Sequence, residues 1–186
     1  RLQRPLPVAR SFLPTFAFLS STVMCAQAGL YHFYGIPKYP LEKKMFGIFK
    51  QKPLDLSQPI FRGFDDVFNM PHSRHTEVRR EDIEKVPGLD IIAESPESGV
   101  SIVMARNGRE FFVTGHLEYA PNTLDKEYKR DMGKRDDVEL PKNYYYHDDP
   151  NEEPLVTWRA HANLFYSNWI NYYVYQETPY NIDEIS

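Results

Sequence analysis

The chain is poor in cysteine, and Cys25 is the only one among its 186 residues. A single thiol cannot form an internal disulfide, so a packed core must hold the fold, and the composition suits a reducing compartment. Long apolar runs are also absent, since no segment reaches the roughly 20 apolar residues that a membrane-spanning helix needs. We therefore expect neither a disulfide framework nor a membrane partner, and Cys25 is either inert or a nucleophile.

An excess of positive charge is missing as well. The formal net charge is −4, with acidic and basic residues mixed along the chain, which excludes the basic stripe typical of nucleic-acid-binding proteins. With 41% hydrophobic residues spread over its length and no internal repeat, the chain predicts one globular domain or most of one. Five histidines lack the mutual spacing of metal ligands, so we assign no metal; they are His32, His72, His75, His147 and His161.

The start of the chain is similar to a secretory signal. Three arginines precede an apolar stretch, residues 12–24, and Ala26-Gln27-Ala28 follows it like a cleavage site. However, Pro14 and Thr15 interrupt the apolar stretch, and nothing downstream is typical of a secreted protein. We therefore expect a cytoplasmic protein.

The clearest local pattern lies in the middle of the chain. Residues 89–93 are typical of a strand, and two further apolar runs, 100–105 and 110–114, flank the pair Asn107-Gly108. An Asn-Gly pair between apolar runs indicates a β-hairpin, because both residues tolerate a positive φ. The hairpin would deliver residues 114–116 to the end of a strand.

Three helices are predicted around this hairpin. Residues 79–85 form a short charged helix that Pro87-Gly88 would end, and Asn122 would cap a helix that begins near Thr123. The third helix has an apolar stripe formed by Trp158, Ala162, Phe165, Trp169 and Tyr172. Strands that alternate with helices favour an α/β domain with a largely parallel sheet and an added hairpin.

His116 and Glu118 stand two residues apart at the end of a predicted strand, where loops at the carboxyl edge of an α/β sheet usually form the site. A carboxylate at that distance can hold an imidazole in one tautomer and stabilise its protonated form. With a cysteine close in space, the three groups would be nucleophile, base and orienting group. A solvated pair of loop residues is the alternative, and spacing alone does not decide between them.

Longer motifs run through the chain between Ala26 and Ile182. They are Tyr34-Gly35-Ile36-Pro37-Lys38, Arg62-Gly63-Phe64-Asp65-Asp66, Pro71-His72-Ser73-Arg74, Val113-Thr114-Gly115-His116 with Glu118-Tyr119, and Asn168-Trp169 with Asn171-Tyr172-Tyr173-Val174-Tyr175-Gln176. In order and spacing they resemble the homoserine O-succinyltransferase and O-acetyltransferase family. The resemblance implies a flavodoxin-like fold similar to class I glutamine amidotransferases, with a parallel sheet, helices on both faces and an added β-hairpin.

The resemblance also implies an activity and a set of residues. An acyl group would pass from acyl-coenzyme A through an acyl-cysteine to the hydroxyl of L-homoserine, in methionine biosynthesis. The family's catalytic histidine and glutamate fall on His116 and Glu118, and its substrate-contacting residues on Lys44, Ser73 and Arg130. A guanidinium at Arg130 suits the homoserine carboxylate because it offers two parallel hydrogen bonds. From the residues alone, these three are also readable as a surface charge, a turn residue and a helix-end cation.

The donor is expected to be acetyl-coenzyme A rather than succinyl-coenzyme A, because residues 31–34 and 38–41 are more similar to family members that look like acetyltransferases. We expect the donor to be a co-substrate, with no tightly bound cofactor. A homodimer is the expected assembly.

The nucleophile motif departs from the family, which presents Cys-Trp-Gly-Ala-Gln at a strand-to-helix elbow. Here Cys25 precedes Ala26-Gln27 and lies two residues too close to the glutamine. We therefore interpret residues 1–25 as an atypical segment and 26–186 as the C-terminal part of a single acyltransferase domain whose first strands are missing. Pro14 is expected to break or displace the strand before the elbow. Besides an active acyltransferase, a non-catalytic remnant and a related glutamine-amide hydrolase stay open.

Overall fold

The computed structural model of the protein describes residues 17–19, 23–134 and 138–176. Within these ranges the strands are β1 (Ala17–Leu19), β2 (Tyr39–Pro53), β3 (Phe68–Glu77), β4 (Leu89–Ser95), β5 (Gly99–Ala105) and β6 (Glu110–Val113). The helices are α1 (Val23–Tyr34), α2 (Arg80–Ile83), α3 (Thr123–Met132) and α4 (Arg159–Asn168). The six strands form a sheet in the order β1-β6-β5-β4-β2-β3.

The predicted hairpin is confirmed as the pair β5 and β6. Its turn contains Arg106, Asn107 and Gly108, whose φ angles are 50°, 55° and 86°. The Asn-Gly pair therefore marks the right place, although three residues rather than two take up the left-handed conformation. A side chain on Gly108 would also collide with the ring of Tyr173. This position therefore requires glycine both for its positive φ and for space.

The α/β class is confirmed, but the described sheet is mostly antiparallel rather than largely parallel. β1 and β6 are parallel, whereas the pairs β6–β5, β5–β4, β4–β2 and β2–β3 are antiparallel. Short turns join β4 to β5 and β5 to β6, and such turns allow only antiparallel pairing, because a parallel pair needs a long crossover.

Strand β1 places the start of the chain's first helix beside the hairpin. Leu19 lies opposite Phe112 in the parallel pair, and α1 begins at Val23. The expected disruption by Pro14 does not extend to residues 17–19, because β1 begins after that proline and keeps its backbone N–H groups. The end of β1, the start of α1 and the end of β6 therefore share one edge of the sheet.

Helices cover both faces of the sheet, as predicted. Alternation along β6 sends Phe112 to one face, where it packs with Ala26 and Leu30 of α1. Phe111 points to the other face and packs with Phe165 of α4. These two apolar layers hold β6 rigidly, and β6 leads directly into His116.

The two longer predicted helices are both present, with local differences. α3 follows Asn122 as predicted, but the Asn122 side chain makes no capping hydrogen bond. α4 continues into a π-helical turn, Trp169–Val174, which advances the buried stripe by one residue and buries Tyr173 rather than Tyr172. Trp158 leaves the stripe and packs against β2 in a separate cluster.

A loop after α3 crosses β2 and fixes that strand beside the helix. The backbone N–H of Ile48 donates to the carbonyl of Lys142 at 2.8 Å, and that of Lys142 donates to the carbonyl of Phe46 at 3.0 Å. Gly47 lies between them with a φ of 136°, and a side chain there would collide with the backbone of Lys142.

Across the described ranges, none of the helices is both long and apolar enough to cross a bilayer.

Candidate functional site

The predicted contact between His116 and Glu118 is confirmed. Nδ1 of His116 lies 2.8 Å from Oε1 of Glu118, just beyond the carboxyl end of β6. An ionised carboxylate can only accept a hydrogen bond, so the proton of the neutral imidazole lies on Nδ1 and Nε2 is free to accept one. The His116 side chain is 6% exposed and that of Glu118 33%. The pair therefore has the geometry of an oriented base.

The ring of Tyr119 stacks on the imidazole of His116, with centroids 4.0 Å apart and planes inclined by 16°. Its hydroxyl donates to Oε1 of Glu127 at 3.1 Å, one turn into α3. Burial raises the pKa of Tyr119, and the carboxylate of Glu127 raises it further. Tyr119 therefore stays protonated and connects the dyad to α3.

Glu127 is the point at which two of the three predicted substrate residues, Lys44 and Ser73, meet. The hydroxyl of Ser73, in β3, donates to Oε2 of Glu127 at 2.6 Å. Nζ of Lys44, in β2, lies 3.6 Å from the same oxygen and 3.2 Å from Oδ2 of Asp131. We define the acidic cluster as Glu127 and Asp131, one turn apart on α3 and both less than 25% exposed. It joins two predicted site residues that are far apart in sequence.

Arg130 lies at the rim of this arrangement. Its Nε donates to Oδ1 of Asp131 at 2.9 Å, and its side chain is 57% exposed. The hydrogen bond that Arg130 donates to Asp131 and that carboxylate's charge raise the pKa of Arg130, and the charge of Glu127 raises it further. The prediction that Arg130 shares a pocket with His116 stays a prediction, with Tyr119 as the group that neighbours both.

A cavity of about 360 Å³ opens beside the acidic cluster. Lys44 and Asp131 line it together with Phe46 and His75. The lysine ammonium also lies 3.9 Å above the ring of Phe46, which holds the cation at the cavity wall. The cavity offers both signs of charge and one aromatic face. It is large enough for an amino acid.

Cys25 belongs by its backbone to the first turn of α1, as the sequence predicted for a helix after an elbow. Its side chain lies outside the part of the chain that the structure describes. The topology places α1 after β1, which ends beside Phe112 in β6, and His116 follows the end of β6. The backbone of Cys25 and the dyad therefore stand at the same edge of the sheet.

Sequence reasoning missed the acidic cluster and the stacked Tyr119. Glu127 and Asp131 were visible as a one-turn repeat on a predicted helix, a pattern that is usually a solvated helix face. Nothing local shows that β2 and β3 supply Lys44 and Ser73 to these carboxylates. Where the structure describes side chains, no three of the His, Cys, Asp or Glu residues are grouped to hold a metal ion.

Comparisons with known proteins identify the family of the chain. A family model described as homoserine O-succinyltransferase matches residues 17–180. The chain is 67% identical to a homoserine O-acetyltransferase of Bacteroides thetaiotaomicron over 160 residues, which are 86% of this chain and 52% of that protein. A protein of the same name from Brevibacillus brevis is 61% identical over 158 residues, 85% of this chain and 52% of the relative. The chain thus spans about half the length of the curated relatives it matches.

Solved structures agree on the fold. A glutamine amidotransferase from Methylobacillus flagellatus aligns with a TM-score of 0.55 and 13% identity, covering 80% of this chain and 60% of that one. A glutamine amidotransferase from Thermotoga maritima gives a TM-score of 0.50, 13% identity, and coverage of 78% and 55%. At this level of identity the likeness concerns the fold and not the reaction.

Proposed function

Because the chain belongs to the homoserine O-succinyltransferase family, we propose that it acts as a homoserine O-acyltransferase whose base is His116. The observation that carries the proposal is the convergence of predicted residues on one place. His116 and Glu118 form the dyad, Tyr119 stacks on it, and Tyr119 shares Glu127 with Ser73 and Lys44. A chance arrangement of surface residues would not join two strands, a helix and the segment after β6 in this way.

The reaction follows from Nε2 of His116, which in this tautomer is a proton acceptor. This nitrogen would take the proton of the Cys25 thiol, and the thiolate would attack the acyl carbon of acyl-coenzyme A. The acyl–sulfur bond to coenzyme A then breaks, and the departing thiolate receives the proton from His116. In the second half, the homoserine hydroxyl gives its proton to His116 and attacks the acyl-cysteine; the acyl–sulfur bond breaks, and His116 returns the proton to the Cys25 thiolate. Glu118 stabilises the imidazolium that forms in both halves.

The mixed charges next to the dyad suit homoserine, which carries an ammonium and a carboxylate. Arg130 offers a planar guanidinium for the carboxylate, and its exposed side chain can turn away from Asp131 toward the cavity. We assign the ammonium to Glu127, and the hydroxyl side of the substrate to Ser73. Lys44 neutralises part of the acidic cluster, so that binding of a zwitterion does not leave an unpaired charge.

We propose acetyl as the acyl group. The relatives at 61 to 68% identity are named homoserine O-acetyltransferases, whereas the family description names succinyl. A role in methionine biosynthesis, a homodimer and a cytoplasmic location remain predictions.

Mass spectrometry of the purified chain after incubation with acetyl- or succinyl-coenzyme A tests the proposal directly. We expect an acetyl adduct on Cys25 that is absent in Cys25→Ala and much slower in His116→Gln, and its loss when homoserine is added. A folded chain that gains no adduct from either donor would favour the non-catalytic alternative. Ammonia release from glutamine, with no adduct from acyl-coenzyme A, would favour the amide hydrolase.

A further inference from the structure

A second histidine, His72, lies behind the dyad in β3. It is completely buried, although sequence analysis gave it no role. Its neighbour in the chain, Pro71, accepts a hydrogen bond from the backbone N–H of His116 at 2.8 Å. The strand that carries His72 is therefore in direct backbone contact with the residue that carries the base.

The turn before His116 lies tightly against the ring of His72. A Cβ on Gly115 would be 3.0 Å from Cε1 of His72 and would collide with the sulfur of Met70. The φ of Gly115 is not in the left-handed region, so glycine is required here for space rather than for backbone conformation. Met70 and His72 thus form the wall that sets the path of the chain into His116.

A buried polar network holds the ring of His72 in one orientation. Nε of Arg74 donates to Nδ1 of His72 at 3.4 Å, and the side-chain nitrogen of Gln51 lies 3.3 Å from Nε2 of the ring. Arg74 is itself fixed, since its other nitrogens donate to the backbone carbonyls of Thr76 and Ser98. Nδ1 of His72 is therefore an acceptor, and the ring proton belongs on Nε2. Gln51 presents an N–H donor at that position as well, so its contact with Nε2 is packing rather than a hydrogen bond.

The same surroundings keep His72 uncharged. Burial lowers the pKa of His72 well below its usual range, and the charge of Arg74 and the nearby His116 lower it further. A neutral ring does not compete with His116 for a proton and does not repel the imidazolium that His116 becomes. His72 is thus rigid, neutral and adjacent to the base without being able to replace it.

We propose that His72 is a positioning residue for His116: held by Arg74, its ring fixes the Gly115–His116 turn and so keeps Nδ1 of His116 aligned with Glu118. The proposal deepens the proposed function, in which His116 is the base, and rests on it for its catalytic meaning. The claim that His72 keeps His116 aligned with Glu118 can be tested without any measurement of catalysis.

The test follows the proton that His116 shares with Glu118. In the full chain labelled with ¹⁵N-histidine, we measure the solvent exchange rate of the Nδ1–H of His116 by NMR, and identify the signal by its loss in His116→Gln. His72→Leu removes the ring that supports the turn, and we expect exchange to accelerate by about tenfold or more, the effect of losing about one hydrogen bond. His72→Asn returns an oxygen that can accept from Arg74, and we expect it to restore most of the protection.

A matched variant separates positioning from general loss of stability. Phe165→Leu weakens the apolar layer on the α4 side, away from the polar network, and we compare it with His72→Leu at equal free energy of unfolding. Unchanged exchange in His72→Leu, or equal acceleration in Phe165→Leu, would overturn the proposal. If His72→Leu does not fold, Arg74→Lys removes the Nε donor instead, and the same acceleration is expected.

The outcome is independent of acyl transfer. If the chain forms no acyl-cysteine but the exchange results are as expected, the proposed function fails and the positioning role stands. If acylation occurs but exchange in His72→Leu is unchanged, the positioning role fails while the proposed function stands.

Discussion

Replacing Glu127 by glutamine removes the charge toward which three side chains of the site point. The hydroxyls of Ser73 and Tyr119 donate to its two oxygens at 2.6 and 3.1 Å, and Nζ of Lys44 lies 3.6 Å away. An amide keeps one accepting oxygen, so one hydroxyl loses its acceptor and the other exchanges a charged partner for a neutral one. A hydrogen bond to a charged group contributes about 1.5–3 kcal/mol and a neutral one about 1 kcal/mol. We therefore expect Glu127→Gln to lower the free energy of unfolding by about 2–4 kcal/mol.

Urea unfolding followed by tryptophan fluorescence measures this loss, since Trp158 is fully buried beside α3. The expected loss in the free energy of unfolding includes no contribution from Lys44, because its ammonium keeps Asp131 as a partner at 3.2 Å. Glu139→Gln is the control, because its pair with Lys43 is exposed and screened by solvent, and we expect no measurable change. A Glu127→Gln chain as stable as the parent, with the same denaturant slope, would refute the view that Glu127 holds the site together.

Three further outcomes are expected. Arg130→Lys should raise the homoserine KM and leave the acylation half-reaction nearly unchanged in stopped-flow assays, because lysine lacks the planar fork; equal losses in both halves would contradict the assignment. Gly47→Ala should lower the free energy of unfolding by about 2–4 kcal/mol in urea titrations, since it combines a φ of 136° with a collision against Lys142. Burial and then Glu110 raise the pKa of Tyr34 to about 12, above the value near 10 in an unfolded chain. This contribution to stability is complete below about pH 10 and is lost as the pH rises toward 12, so the unfolding midpoint should fall between about pH 10 and 12, and less steeply in Tyr34→Phe.

The sequence by itself determined the features that depend on neighbouring residues. The turn at Asn107-Gly108 needs positive φ angles, which Asn and Gly tolerate. The apolar runs on either side indicate that this turn joins two strands of a hairpin. The start of α3 near Thr123 and the two-residue spacing of His116 and Glu118 are local in the same sense. The family resemblance added the candidate substrate residues, although it did not show how they meet.

Tertiary structure alone decided which residues meet. Lys44 and Asp131 are 87 positions apart, and Ser73 and Glu127 are 54 apart, so no periodicity in the chain could pair them. Antiparallel packing of β2 on β3, with α3 laid across both, brings the four together. The direction of most strands was mispredicted for a related reason, since alternating strands and helices suggest crossovers, while the turns here are short.

The buried network around His72 shows the physical limit most clearly. From sequence, a histidine next to a serine and an arginine is indistinguishable from a surface turn. Burial keeps the His72 ring uncharged. Its close approach to Gly115 is what allows it to influence the position of His116. Local propensity fixes the backbone of each segment, but the charge state and orientation of a side chain depend on solvent exclusion and on partners from other segments, which exist only once the chain has folded.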